Sequence, residues 1–172
     1  VDIDLTYLPL KPRNEALTEI SETLLAIGQE IERRIPGSQV RRSRMHDLVV
    51  KLLVSTSEAV IKIEPNLILR GSINQPINMD LSPVAQKHFG AFVSVPTLPV
   101  ADLYGGKLCA ALDRQHPRDL FDVKVLLDDT GITPEIRRSF VVHLAGHNRP
   151  MNELLSPSLL DMKSLYDDQF VG

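Results

Sequence analysis

Asp2 and Asp4 stand one residue apart at the start of the chain, in the run Asp2-Ile3-Asp4-Leu5. In an extended strand, period two points both carboxylates the same way, with Cα atoms about 6.5–7 Å apart. Two oxygen donors at that spacing suit hard Mg²⁺, an ion that also takes substrate phosphates. The pattern equally describes a polar strand edge, and Asp-x-Asp alone is a weak motif. A second run, Ile61-Lys62-Ile63-Glu64, sets charges inside a strongly β-type segment. Val60, Lys62 and Glu64 share one face, while Ile61 and Ile63 share the other. On a strand beside the first, Glu64 becomes a third carboxylate, and a bound cation is the natural compensation for three like charges. A solvated Lys62/Glu64 face is the other reading.

The densest segment runs from Ala101 to Asp122. Lys107 and Arg114 are two helical turns apart and share a face. Asp119 and Asp122 are i,i+3 neighbours on the next helix, and Arg118 to Asp122 is i,i+4. Pro117 fits a helix start, so basic groups from one helix face acids from the next across a tight corner. Such a corner is either a set of ion pairs, each worth about 0–1 kcal/mol when exposed, or a phosphate-gripping Lys and Arg held in place by acids. Gly105-Gly106-Lys107 is not a P-loop, because Leu108 follows the lysine where Ser or Thr is required. His143 and His147 have i,i+4 spacing, but Leu144 stands where a zinc-peptidase glutamate would. Cys109, between Leu108 and Ala110, reads as a buried, inert thiol. Arg41, Arg42 and Arg44 form a small basic cluster beside a strand, a solvated turn by default and a phosphate contact otherwise.

These groups need elements to hold them. Residues 1–8 read as a strand closed by Pro9 and Pro12. Asn14 is the expected N-cap of an amphipathic helix carrying Leu17, Ile20, Leu24, Ile27, Ile31 and Ile35, stopped by Pro36-Gly37. Leu48–Val54 and Ala59–Glu64 flank a polar turn and predict a hairpin. Residues 71–90 read as loop, and 91–95 as a short strand. Helices are expected from about Val100 to Asp113, from about Arg118 to Asp129, and from Thr133-Pro134-Glu135 to about Leu144. A further short helix is expected after Ser156-Pro157. A β-rich front and an all-helical back imply an α+β fold, with a β-rich core over residues 1–98 and a helical region over 99–172.

Composition narrows the class. The chain has 172 residues, 43% hydrophobic and 24% charged, with 19 Lys+Arg against 22 Asp+Glu and a net charge of −3. These values exclude a disordered tail and a supercharged nucleic-acid-coating protein. One cysteine excludes an internal disulfide framework and fits a reducing cytoplasm. No apolar run approaches the ~20 residues of a membrane span, and no signal peptide opens the chain. The chain starts on Val1 rather than Met, which reads as a fragment or a late start.

Taken in order, Asp-Ile-Asp-Leu, Ile-Lys-Ile-Glu-Pro-Asn, Lys107-Leu-x-Ala-Ala-Leu-x-Arg114 and Arg118-Asp-Leu-Phe-Asp122 resemble the AbiEii/AbiGii toxin family. So does the later Asn148-Arg149-Pro150-x-Asn-Glu-Leu-Leu. These are nucleotidyltransferases of type IV toxin–antitoxin systems. The resemblance implies a polymerase β-like nucleotidyltransferase sheet followed by helices. It implies transfer of a nucleotidyl group from an NTP to an acceptor, with tRNA or another RNA expected ahead of a protein hydroxyl. It also implies a cytoplasmic location and a cognate antitoxin.

Carried over by position, Asp2 and Asp4 become the Mg²⁺ (or Mn²⁺) pair. Glu64 takes a third acidic position, and Lys107 and Asp119 complete the catalytic set. Lys62, Lys107, Arg114 and Arg118 become phosphate contacts, and Arg118 and Asp122 orient Asp119. Family members carry a Gly-Gly or Gly-Ser turn roughly ten residues before Asp-x-Asp, where backbone N–H groups approach the triphosphate. That turn is absent from this sequence, so the expectation includes an N-terminal truncation. A catalytically silent binding domain is the alternative. A metal-dependent nuclease ranks below both, because it needs Glu-x-Lys and the order here is Lys62-x-Glu64.

Overall fold

The computed structural model describes residues 2–168, so Val1 of the expected first strand lies outside it. The chain divides into two compact units, Val1–Gly71 and Ser72–Gly172.

In the first unit, a four-stranded sheet has the order β1-β4-β3-β2. Its strands are β1 (Asp2–Leu5), β2 (Gln39–Met45), β3 (Leu48–Ser55) and β4 (Val60–Pro65). Helix α1 (Arg13–Arg34) covers one face. Its apolar positions Ile20 and Leu24 pack with Val40, Val49, Leu52, Val54 and Ile63 into the core. The 3.6-residue period on the helix thus meets the 2-residue period of the strands. Ser21 on the helix accepts a hydrogen bond from the Val49 backbone N–H at 2.9 Å. That satisfies a buried donor near the register shift between Ser43 and Arg44. The expected hairpin is β3–β4, antiparallel with Ser55 opposite Val60. Its turn is pinned by Thr56 Oγ1, which accepts from the N–H groups of Glu58 and Ala59.

One helix start differs from expectation. The N-cap is Pro12, whose carbonyl accepts from Ala16, and Asn14 lies inside the first turn. Proline's fixed φ suits the entry, so no side-chain cap is needed.

The second unit opens with a ribbon, β5 (Ile77–Asp80) paired antiparallel with β6 (Ser94–Thr97), around α2 (Pro83–Phe89). The expected loop over 71–90 therefore holds a strand and a helix, the latter capped by Ser82 and ended by Gly90 at φ +60°. Then come α3 (Val100–Arg114), α4 (Pro117–Asp129) and α5 (Pro134–Ala145), close to the expected bounds. His116 Nδ1 caps α4 by accepting from Arg118 N–H, and Thr133 caps α5. The last short helices are α6 (Met151–Leu155) and α7 (Lys163–Tyr166). Helix α7 is the short helix expected after Ser156-Pro157, and α6, which precedes it, is an additional one. Pro150 supplies the N-cap of α6, as Pro12 does for α1.

Helices α3 and α5 meet at Gly105, where a Cβ would stand 2.7 Å from Ser139 Cβ and 2.8 Å from Phe140 N. One turn away, buried Asp102 accepts hydrogen bonds from Ser72, Ile73 N–H, Asn74 and Ser139. Burial alone would raise its pKa, but those donors outweigh it and hold the carboxyl below the usual range. Among the described residues, no helix is long and apolar enough to cross a membrane. The mixed sheet with helices following it is the expected α+β arrangement.

Candidate functional site

Strand register builds the first cluster. Edge strand β1 runs parallel to β4, with Asp2 opposite Lys62 and Asp4 opposite Glu64. Ile63 between them belongs to the core, so alternation turns Lys62 and Glu64, with Asp2 and Asp4, to the face that α1 does not cover. Lys51 on β3 alternates with buried Leu52 and reaches the same face. Arg41 lies opposite Leu53, and Leu53 opposite Lys62, so this face also carries Arg41 at its far side.

The charges there are interlocked. Lys62 Nζ lies 3.2 Å from Asp2 Oδ2 and 3.7 Å from Glu64 Oε2. Lys51 Nζ lies 2.8 Å from Glu64 Oε2. That oxygen is buried and has no aligned hydrogen bond, so its contacts are ion pairs. The Asp2 contact raises the Lys62 ammonium above its ordinary value. Contact with Lys51 first, and the charge of Lys62 beyond it, hold the Glu64 carboxyl below its usual range. The compensation expected from a bound cation is thus supplied at Glu64 by two lysines of the chain itself.

Lys51 escaped the sequence reading. The available signal was its position as the one charge in the apolar run Leu48–Val54, since a lone charge among strand apolars calls for a partner.

The donor chemistry fits a hard divalent ion. Asp2 and Asp4 offer two exposed carboxylates on one face, and Mg²⁺ commonly takes one or two protein carboxylates, with phosphates and water completing its shell. Among the described residues, no group of three or more His, Cys, Asp and Glu is arranged to hold an ion. The fit is therefore to an open pair and not to a closed cage.

The second unit holds the other cluster, at the corner between α3 and α4. Gln115 takes a left-handed conformation, φ +50°, at the end of α3. Pro117 then starts α4, which brings the two charged faces together. Lys107 pairs with Asp122, and Arg114 with Asp119 at 2.7 Å. Arg118 is exposed. Asp119 is only 13% exposed at its side chain, against 62% for Arg114. Its Oδ2 is buried without a hydrogen-bond partner, a costly state for an acceptor.

The remaining candidates have structural partners. Arg42 forks onto Glu32 at 2.7 and 3.1 Å, and Arg44 donates to the Asp47 carbonyl. His147 lies 3.7 Å from Asp113, which also pairs with Arg149. His143 is held below the ordinary histidine value by burial. Cys109 is buried and its thiol is pushed up to about 11, so it is not a nucleophile at neutral pH.

A family model described as nucleotidyl transferase AbiEii toxin, type IV TA system, matches residues 1–170. No curated protein matches the chain.

Proposed function

Starting from the chain's membership of the AbiEii family of nucleotidyltransferase toxins of type IV toxin–antitoxin systems, we propose that it transfers a nucleotidyl group from an NTP to an RNA acceptor, tRNA first, in the cytoplasm. A cognate antitoxin would restrain it. On this reading residues 1–98 are the nucleotidyltransferase core and 99–172 a helical region. The observation that carries the reading is the β1–β4 register, which aligns Asp2 and Asp4 with Lys62 and Glu64 on one open face.

Asp2 and Asp4 would hold Mg²⁺ or Mn²⁺. When bound, that ion supplies charge neutralisation at the α-phosphate as the acceptor oxygen attacks phosphorus and pyrophosphate leaves. The family resemblance assigns phosphate contact to Lys62 in the first unit and to Lys107, Arg114 and Arg118 in the second. Asp122 restrains Lys107, and Arg114 restrains Asp119. On this reading Asp119 is the late acid of the reaction, and its buried Oδ2 has no donor of its own. Glu64 acts on Lys62 and Lys51 and so tunes the charge beside Asp2. With a net charge of −3, RNA contact rests on local cations such as Arg41, so association weakens as salt rises.

Incubation with labelled NTPs, Mg²⁺ and bulk RNA tests the reading. Labelled RNA is expected with the wild type and not with Asp4→Ala or Lys107→Ala. Transfer that survives both changes would sink the site assignment.

A further inference from the structure

Asp2 has two claims on it. As one of the proposed metal pair it must receive a divalent ion, yet Lys62 Nζ already stands 3.2 Å from its Oδ2. Two cations at one carboxylate repel at short range, and on a partly exposed surface that repulsion is screened but not abolished. Lys62 has somewhere else to go: Glu64 Oε2 is 3.7 Å away on the same strand face. Glu64 is itself kept in place from the other side by Lys51 at 2.8 Å. The register sets these side chains beside one another on one face, because Lys62 sits opposite Asp2 and Glu64 opposite Asp4.

We infer that Lys62 is a built-in counter-cation, paired with Asp2 when no divalent ion is bound and displaced onto Glu64 when one enters, where its ammonium is presented to the triphosphate. The inference rests on the Asp2/Asp4 metal reading and adds a specific role for Lys62, Glu64 and Lys51 around it. It makes the empty site a poor binder of free divalent ion. A metal that arrives with a triphosphate gives the displaced lysine an anionic partner, so the two bind more tightly together than either does alone.

The inference is tested by titrating Mn²⁺ alone into the full chain and following free Mn²⁺ by electron paramagnetic resonance, with no turnover involved. Lys62→Gln removes the competing charge and is expected to bind Mn²⁺ roughly tenfold more tightly than wild type. Lys62→Arg keeps the charge and is expected to bind as wild type. Asp4→Asn is expected to lose the site. Melting curves and circular dichroism establish that each variant is folded. If folded Lys62→Gln binds Mn²⁺ no better than wild type while Asp4→Asn abolishes binding, the counter-cation role is overturned and the metal reading stands. If Asp4→Asn binds as wild type does, the metal reading itself fails and takes the inference with it.

Discussion

Lys51 Nζ and Glu64 Oε2 stand 2.8 Å apart across the β3–β4 pair. The contact holds the Glu64 carboxyl below its usual range. Lys51→Met should therefore raise the Glu64 pKa toward the ordinary carboxylate value, read from a carbon-detected NMR titration of the side chain. Because its folded pKa is depressed, Glu64 stabilises the fold above its unfolded pKa of about 4.3. That contribution is lost as pH falls through the lower folded value. Both side chains keep over a third of their exposure, so solvent screening limits the stability change at pH 7 to less than about 1 kcal/mol. A Glu64 titration curve unmoved by the substitution would contradict the pairing.

Gly105 and Gly106 are adjacent on α3 and should respond oppositely to alanine. A Cβ at Gly105 meets Ser139 Cβ at 2.7 Å and the Phe140 backbone N at 2.8 Å, whereas one at Gly106 meets only the His143 ring at 3.6 Å or more. Alanine gains about 1 kcal/mol of helix propensity at either site. At Gly105 that gain is outweighed by overpacking of about 1–3 kcal/mol, because backbone cannot step aside. Gly105→Ala should lower the urea midpoint, and Gly106→Ala should leave it unchanged or raise it. Equal effects at the two sites would show that α3 and α5 are not in backbone contact.

Local signals in the sequence carried the helices and missed most of the tertiary pairing. Pro117 and Pro134 at first helical positions, and the Thr133 cap, mark the starts of α4 and α5 because their effect is confined to one turn. The facing of Asp2, Asp4, Lys62 and Glu64 was likewise readable, since period two acts within each strand. Which strands become neighbours is a long-range choice, and so Lys51 was missed, although Ser43 and Leu52 fix its place in the sheet once β2 and β4 flank β3. Asn14 was overvalued because a cap preference is worth only about 1 kcal/mol, and Pro12 opens the helix without a side-chain bond. A short strand at 91–95 was legible and overlaps β6, but its partner β5 hid among turn-formers such as Pro76 and Asn78, because cross-strand pairing overrides weak strand propensity.

Asp102 ties Ser72, Ile73 and Asn74 to the start of α3 and reaches Ser139 on α5 at 3.0 Å. It is 3% exposed, so Asp102→Ala leaves several buried donors without an acceptor. The expected loss at pH 7 is about 2–4 kcal/mol in a urea titration. Hydrogen bonds keep the folded pKa low against the opposing effect of burial. The stabilisation is therefore full above the unfolded value of about 3.9 and falls away as pH drops through the folded one. The Asp102 part of the gap between wild type and variant should shrink in that acid window, while half-buried His143, whose protonation the Asp102 charge favours, adds a separate change in the histidine range. A gap unchanged through the acid window would contradict the Asp102 assignment.

Asp119 offers the sharpest separation of structural from functional value. Its Oδ1 accepts from Arg114 at 2.7 Å, but its Oδ2 is buried with no donor. An acceptor left open in a side chain only 13% exposed costs stability, about 1–3 kcal/mol when fully unsatisfied. The pair with Arg114 returns little, because the guanidinium is largely in solvent. Asp119→Ala removes both terms, so the melting temperature should stay level or rise. If Asp119 serves the transfer reaction as proposed, the same variant should lose labelled product by at least about 100-fold, the scale on which a group acting in the transition state registers. A fold that tolerates or prefers alanine, together with a reaction that does not, is the pattern of strain retained for function. Should Asp119→Ala instead unfold more readily by 2 kcal/mol or more on the scale of a broken buried network, Asp119 is a structural brace of the α3–α4 corner, and the catalytic assignment at this position falls.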